Sequence, residues 1–300
     1  MFNQFRLFGV ALLTLGVFAL SACDSSSASG SGTGTISIAV TDAPVDSATA
    51  VVVEFTGITL QPQDGEAIEF DFDEPRHIDL LSLQGDASEL LLEDETVAAG
   101  QYVWMRLKVN ALNGELDSYI ELDDGSQHGL FIPGGAQSGL KLVSGFSVPE
   151  GGAAAFTIDF DLRKSVVKPA AVVRDYQLKP VLRLVENEQA GGITGTVDAS
   201  WVSEADCSAA VYAYLGVDVT LGSEGSDNPP LSSALVALNP DTGDYDYQLG
   251  FLPAGEYTLA FTCQADLDQP DELNEIEFLA SEKVEVSGGA STTLNFVAPF

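Results

Sequence analysis

From Thr35 onward, apolar and polar residues change places at every second position. The runs are short and stop at Gly, Pro, Asn or Asp. A repeat of two puts successive side chains on opposite faces of an extended chain, so this alternation calls for half-buried β-strands rather than helices. Gln101–Val109 is the clearest run. On a regular pleat Val103, Met105, Leu107 and Val109 share one face, and Tyr102, Trp104, Arg106 and Lys108 share the other. Thr35–Val40, Ala67–Phe72, Ser118–Leu122, Gln127–Ile132, Leu140–Val143, Ala154–Leu162 and Tyr176–Leu184 also read as strands, and Ala50–Phe55 is β-branched and buried in pattern, with a bulge expected at Gly57. The one helical candidate is Leu80–Leu92. Many short strands separated by Gly/Pro turns predict an all-β fold of sandwich type.

The chain opens differently. Met1–Arg6 carries Arg6 and the amino terminus, and Leu7–Leu20 is apolar and uncharged. That run falls short of the roughly 20 apolar residues that span a bilayer, and it fits the h-region of a secretory signal. It ends at Leu20-Ser21-Ala22-Cys23, which resembles the lipobox of bacterial lipoproteins. The resemblance implies cleavage before Cys23, acylation of its thiol, and a lipid anchor in the membrane. Asp24 resembles the residue that retains such proteins in the inner membrane of enteric bacteria. The expected order is a signal peptide over 1–22, a Ser/Gly-rich tether over 23–34, and folded regions over 35–188 and 193–300. The expected location is the cell envelope, facing the periplasm or the cell surface.

Acidic residues number 45 against 12 basic ones, a formal charge of -33. Such a field repels nucleic acid and anionic lipid. Half of the basic residues, namely Arg163, Lys164, Lys168, Arg174, Lys179 and Arg183, fall in one short window. This window reads in two ways. It is an anion site, with Arg163, Lys164, Lys168 and Arg174 as ligand-binding residues for acidic sugars or phosphate. Alternatively it is internal charge balance against carboxylates on neighbouring strands.

Several phrases resemble the DUF4382 domain of bacterial and archaeal envelope proteins. They are Thr41-Asp42-Ala43-Pro44, Ile78-Asp79-Leu80-Leu81, Gly139-Leu140-Lys141-Leu142-Val143, Phe160–Val166 and Leu178-Lys179-Pro180. Beyond the polar stretch Glu186–Gly192, the sequence Gly243-Asp244-Tyr245-Asp246-Tyr247 followed by Phe251–Leu259 resembles the carboxypeptidase-regulatory, transthyretin-like β-sandwich. These resemblances imply two sandwiches (Ig/prealbumin-like) in tandem, the second grouped with carbohydrate-binding-like folds. The two halves also echo each other. Ala99-Gly100-Gln101-Tyr102 parallels Ala254-Gly255-Glu256-Tyr257, and Gly151-Gly152-Ala153 parallels Gly288-Gly289-Ala290.

With Cys23 acylated, Cys207 and Cys263 remain, and an oxidising compartment predicts a disulfide between them. No HExxH, GxSxG, phosphate-binding loop or dinucleotide fingerprint occurs. His77 and His128 read as surface or edge residues. Acidic turns at Asp71–Glu74, Asp123–Gly125 and Asp241–Asp246 carry oxygen ligands suited to Ca²⁺, or are simply solvated turns. Trp104 and Trp201 stack on sugars or belong to the core. The expected function is a non-enzymatic binding or adhesion module with polysaccharide as one ligand class, needing no cofactor. The other reading is a structural or assembly subunit that contacts another envelope protein.

Overall fold

A computed structural model describes residues 32–43, 48–134, 139–169, 175–203, 206–270 and 273–298. Cys23, Asp24 and Arg174, and with them the lipid anchor and part of the basic window, lie outside the described residues. The chain divides into two units, Met1–Gly30 and Ser31–Phe300, and all described residues belong to the second.

Its first part carries β1 (Thr33–Ala43), β2 (Ala48–Pro62), β3 (Ile68–Asp79), β4 (Glu89–Ala98), β5 (Gly100–Asn110), β6 (Tyr119–Leu122) and β7 (Gln127–Phe131). Then come β8 (Leu140–Leu142), β9 (Phe146–Val148), β10 (Ala153–Asp161), a single helical turn α1 (Leu162–Ser165), β11 (Val166–Val167), β12 (Tyr176–Leu178) and β13 (Leu182–Glu186). The second part carries β14 (Ala190–Val197), a turn α2 (Ala199–Val202), β15 (Ala210–Leu215), β16 (Ser232–Leu235) and β17 (Ala237–Leu238). It closes with β18 (Tyr245–Pro253), β19 (Gly255–Thr262), β20 (Ala280–Val286) and β21 (Ser291–Thr293).

These strands make four sheets, stacked as two sandwiches. In the first, β13-β10-β1-β4 faces a larger sheet in which β2 and β5 are central. In the second, β17-β18-β14-β21 faces β16-β15-β19-β20. Each encloses its own apolar core. One core includes Ile36, Phe55, Leu107 and Phe160; the other includes Ile193, Val211, Phe261 and Phe296. The outer face of β15 and β19 is also buried, with Tyr212, Tyr214 and Ala260 packed against Leu221 and Phe278. The fold is thus all-β with tandem β-sandwich domains.

The two sandwiches follow one plan. β1 pairs in parallel with β10 and antiparallel with β4; β14 pairs in parallel with β21 and antiparallel with β18. In the opposing sheets, β2 lies between β3 and β5 as β15 lies between β16 and β19. β9 closes on β5 as β20 closes on β19. The corner where the strands cross between sheets is repeated bond for bond. Ala99 N donates to Gly32 O (2.7 Å) and Ala254 N to Gln189 O (2.9 Å). Gly151 N donates to Thr33 O and Gly289 N to Ala190 O, at 2.8 and 2.7 Å. Thr35 N donates to Gly152 O and Gly192 N to Ala290 O, both at 2.9 Å. A Cβ at Gly34 would lie 2.4 Å from Pro149 O, and one at Gly191 would lie 2.3 Å from Ser287 O, so both positions require glycine. The first sandwich adds β6, β7, β8, β11, β12 and β13 to this plan, and the second adds β17.

Three local expectations are corrected. Leu80–Leu92 is not a helix. A 3-10 turn over Leu80–Ser82 is capped by Asp79, whose carboxylate accepts from Leu81 N, and β4 begins at Glu89. Gly85, at φ +70°, breaks any helical continuation. Along β5 the buried set is Tyr102, Met105, Leu107 and Val109, while Val103 is 41% exposed. The pairing slips between Gln61 and Pro62, and this bulge moves Tyr102 to the core face. Tyr176–Leu184 breaks at Lys179-Pro180 into β12 and β13, which join different sheets. The expected bulge at Gly57 is present.

Cys207 and Cys263 form a disulfide, with Cα atoms 4.4 Å apart, tying the segment before β15 to the end of β19. Trp201 stacks on Phe261 beside it, with ring centroids 5.6 Å apart, so this tryptophan serves the core. Trp104 instead stands half-buried on the outer face of β5.

Candidate functional site

Half of the basic window, Arg163, Lys164 and Arg183, lies where the two sandwiches meet. β10 ends at Asp161, and the turn α1 projects Arg163 and Lys164 toward the second sandwich. Asp161 caps the turn, its carboxylate accepting from Lys164 N at 3.1 Å. The Lys164 ammonium lies 3.0 Å from Asp161 Oδ2 and 2.6 Å from Glu224 Oε2. Glu224, in the loop between β15 and β16, is 7% exposed, and its N–H donates to the buried carboxylate of Asp268. Arg163 Nη1 donates to the Tyr212 hydroxyl on β15 at 3.3 Å. Lys164 and Glu224 are 60 positions apart, so one ion pair bridges the two sandwiches.

Arg183 on β13 faces Asp159 on β10 in register, and its Nε and Nη2 both donate to Asp159 Oδ2. Asp159, Asp161, Arg163, Arg183 and Glu224 line a pocket of about 180 Å³ between the sandwiches, closed on the far side by Pro230–Ser233. Nearby the two backbones touch. A Cβ at Gly250 of β18 would sit 1.9 Å from the Gly85 carbonyl, so only glycine admits the contact.

Burial sets the direction for the acidic groups and ion pairing for the lysine. It raises the Asp159 carboxyl above its ordinary value although Arg183 pulls the other way. It raises Glu224 likewise, against the pull of Lys164. For Lys164 burial alone would lower the ammonium, but Glu224 and Asp161 together outweigh it and raise it. Burial also raises the Tyr212 hydroxyl. Asp159 is held by Arg183, and Glu224 is held by Lys164.

The structure therefore brings Arg163, Lys164 and Arg183 together and sets the rest of the window apart. Lys168 is exposed, its Nζ 5.8 Å from the centre of the Tyr176 ring, and Lys179 is exposed. The carboxylates that take up Lys164 and Arg183 match the charge-balance reading of the window. Glu224, Tyr212 and Asp268 escape a sequence reading because nothing local marks them as partners of residues so far upstream.

The other candidates have local roles. His77 Nε2 lies 2.9 Å from Glu54 Oε2, and His128 Nε2 lies 3.2 Å from Ser126 Oγ. Asp71 holds Lys108, Asp124 accepts from Ser126 N, and Asn239 organises the turn at Asp241–Asp246. Among the described residues no group of three or more His, Cys, Asp and Glu is placed to hold a metal ion. No helix among them is long and apolar enough to cross a membrane.

Fold and seam define an all-β protein of two sandwiches joined through buried charge. Residues 33–180, which take in most of the first sandwich, match the family described as "Domain of unknown function (DUF4382)". No curated protein matches the chain. Among solved structures it is similar to the Bacillus anthracis TIE protein at 12% identity and a TM-score of 0.20, over 88% of this chain and 33% of that one. It is similar to GBS52, the minor pilin of Streptococcus agalactiae, at 9% identity and a TM-score of 0.19, over 87% and 94% of the two chains. It is similar to putative polysaccharide binding proteins (DUF1812) from Bacteroides thetaiotaomicron at 12% identity and a TM-score of 0.19, over 78% of each. The chain spans a third or less of the first two structures matched, 33% and 27%. TM-scores this low carry no argument about function.

Proposed function

We propose that this chain is an envelope lipoprotein, acylated at Cys23, whose two sandwiches act together as a stiff, non-enzymatic binding head. We further propose 1–22 as the signal peptide, 23–34 as the tether, and 35–188 and 193–300 as the two folded modules, the second of carboxypeptidase-regulatory, transthyretin-like type. The observation that carries the reading is the use of the buried charges. Lys164, Glu224, Arg183 and Asp159 join strands and sandwiches, leaving the outer sheet faces other than that of β15 and β19 as the surfaces on offer. The lipobox phrase and the Ser/Gly-rich stretch after it support the anchor, and Asp24 favours the inner membrane.

Two measurements on the full chain test this. Metabolic labelling with a fatty acid in a bacterial host should mark the wild type and leave Cys23→Ser unmarked; label on both would refute the anchor. The detergent-solubilised protein should be retained on at least one polysaccharide resin. Retention on none, together with a stoichiometric envelope protein captured by crosslinking, would favour the assembly-subunit reading.

A further inference from the structure

The outer face of β5 and β8 holds an arrangement that the fold does not explain. Arg106 on β5 and Lys141 on β8 are directly opposite each other in the antiparallel pair. Like charges at opposed positions destabilise a sheet. The chain has 45 acidic residues with which to relieve them. Among the described residues neither side chain meets a carboxylate. Lys108, one repeat along the same face, contrasts with them: it bridges Glu69 and Asp71 at 2.8 and 2.7 Å. Arg106 and Lys141 turn instead to Trp104, with Cζ 5.2 Å and Nζ 4.2 Å from its ring centre. The Arg106 Nε is covered and has no acceptor. Gly139 makes room for the aliphatic stem of Arg106, since a Cβ there would lie 2.9 Å from Arg106 Cγ. Val143, just beyond β8, is 78% exposed. Two opposed cations that share one aromatic ring and no carboxylate leave their charge uncancelled, and such a local conflict marks a place where the surface serves something outside the molecule.

We propose that Trp104, Arg106 and Lys141 form a binding site for an acidic polysaccharide, the two cations meeting its carboxylates and Trp104 with Val143 meeting the sugar rings. The inference rests on the binding-head reading and gives it a site and a ligand class. Guanidinium and ammonium supply charge-assisted donors, and a tryptophan face beside them suits the C–H surface of a pyranose. Charge complementarity selects an anion. The size and setting of the patch select a single polymer strand. A stable protein interface needs about 800 Å² per partner, far more than these few side chains offer. An anionic membrane would bring much of a chain of net charge -33 within the screening length of about 8 Å, whereas one polymer strand touches only the stripe.

The test uses the full chain in mild detergent, with polygalacturonate as the acidic probe and dextran as the neutral one. Polyglutamate and phosphatidylglycerol vesicles stand for acidic protein and acidic lipid. Wild type should bind polygalacturonate in preference to all three, and added salt should weaken the binding. The double variant Arg106→Gln/Lys141→Gln and the single variant Trp104→Ala should each bind at least about tenfold more weakly. Lys141 is exposed, so Lys141→Glu changes the charge without disturbing the core and should give a loss of the same order. Polygalacturonate binding that ignores all three variants overturns the site and leaves the binding-head reading standing. Equal or better binding to polyglutamate or vesicles overturns the ligand class. Binding to dextran alone overturns the acidic assignment. Binding to none of the probes or of the broader resins overturns site and binding-head reading together.

Discussion

Tyr102 and Tyr257 occupy the same place in the two sandwiches. Each hydroxyl donates to the carbonyl four residues upstream, Ala98 O and Pro253 O, at 2.8 Å in both cases. Each ring is buried, at 2% and 0% exposure, and each follows an Ala-Gly turn that hands the chain from one sheet to the other. Burial raises both hydroxyls above the ordinary tyrosine value.

Equivalent corners should fail equivalently. Tyr102→Phe and Tyr257→Phe each leave a carbonyl without its donor, which costs about 1 kcal/mol. Urea unfolding should show two losses of similar size that add in the double variant, because the corners belong to separate cores. A large loss at one position and none at the other would show that the corners are not equivalent.

The Glu224 carboxyl is raised by burial, so the sign of its contribution follows. A carboxyl raised in the folded state contributes stability that is fully present below its unfolded value, 4.5, and lost as pH rises through the folded value. Measured by denaturant unfolding, the stability of wild type minus that of Glu224→Gln should therefore fall as pH rises from 4.5 toward neutrality. A difference that grows over this range would mean that the Lys164 ammonium outweighs the burial.

The disulfide closes a separation of 56 residues. In the chain-entropy model such a loop contributes about 4 kcal/mol. Reduction, or the double variant Cys207→Ser/Cys263→Ser, should lower stability by that order, and Trp201 fluorescence should report it because the indole packs beside the bridge. Unchanged unfolding after complete reduction would contradict the assignment.

Much of this architecture is legible in the residues, and the misses share a cause. β5 is readable because its alternation is clean. Its register is not, because the bulge that turns Tyr102 inward lies in the pairing of β5 with β2, near Gln61 and Pro62. The leucines of Leu80–Leu92 suggest a helix, yet Leu80 and Leu83 reach the core from a tight turn while Leu91 and Leu92 reach it from a strand. The repeated Ala-Gly-x-Tyr phrase hints at duplication, and the matched strand pairings give that hint its substance. The basic window is visible as composition. Its partners are not, since Glu224 becomes a neighbour of Lys164 only when two sandwiches fold and dock. Trp104 with Arg106 is visible as one face of a strand, but the opposing Lys141 requires knowing that β8 pairs with β5.

The proposed binding head requires the two sandwiches to behave as one stiff body joined by the seam, which differential scanning calorimetry of the full chain can check. Wild type should unfold in a single transition with equal calorimetric and van't Hoff enthalpies. Lys164→Ala leaves Glu224 buried without its counter-charge. It should destabilise the protein by about 2–3 kcal/mol, toward the lower end of buried-pair losses because the lysine is partly exposed, and should separate the two sandwiches into two transitions. Two transitions already present in wild type, or a variant indistinguishable from it, would show that the seam does not join the sandwiches into one body.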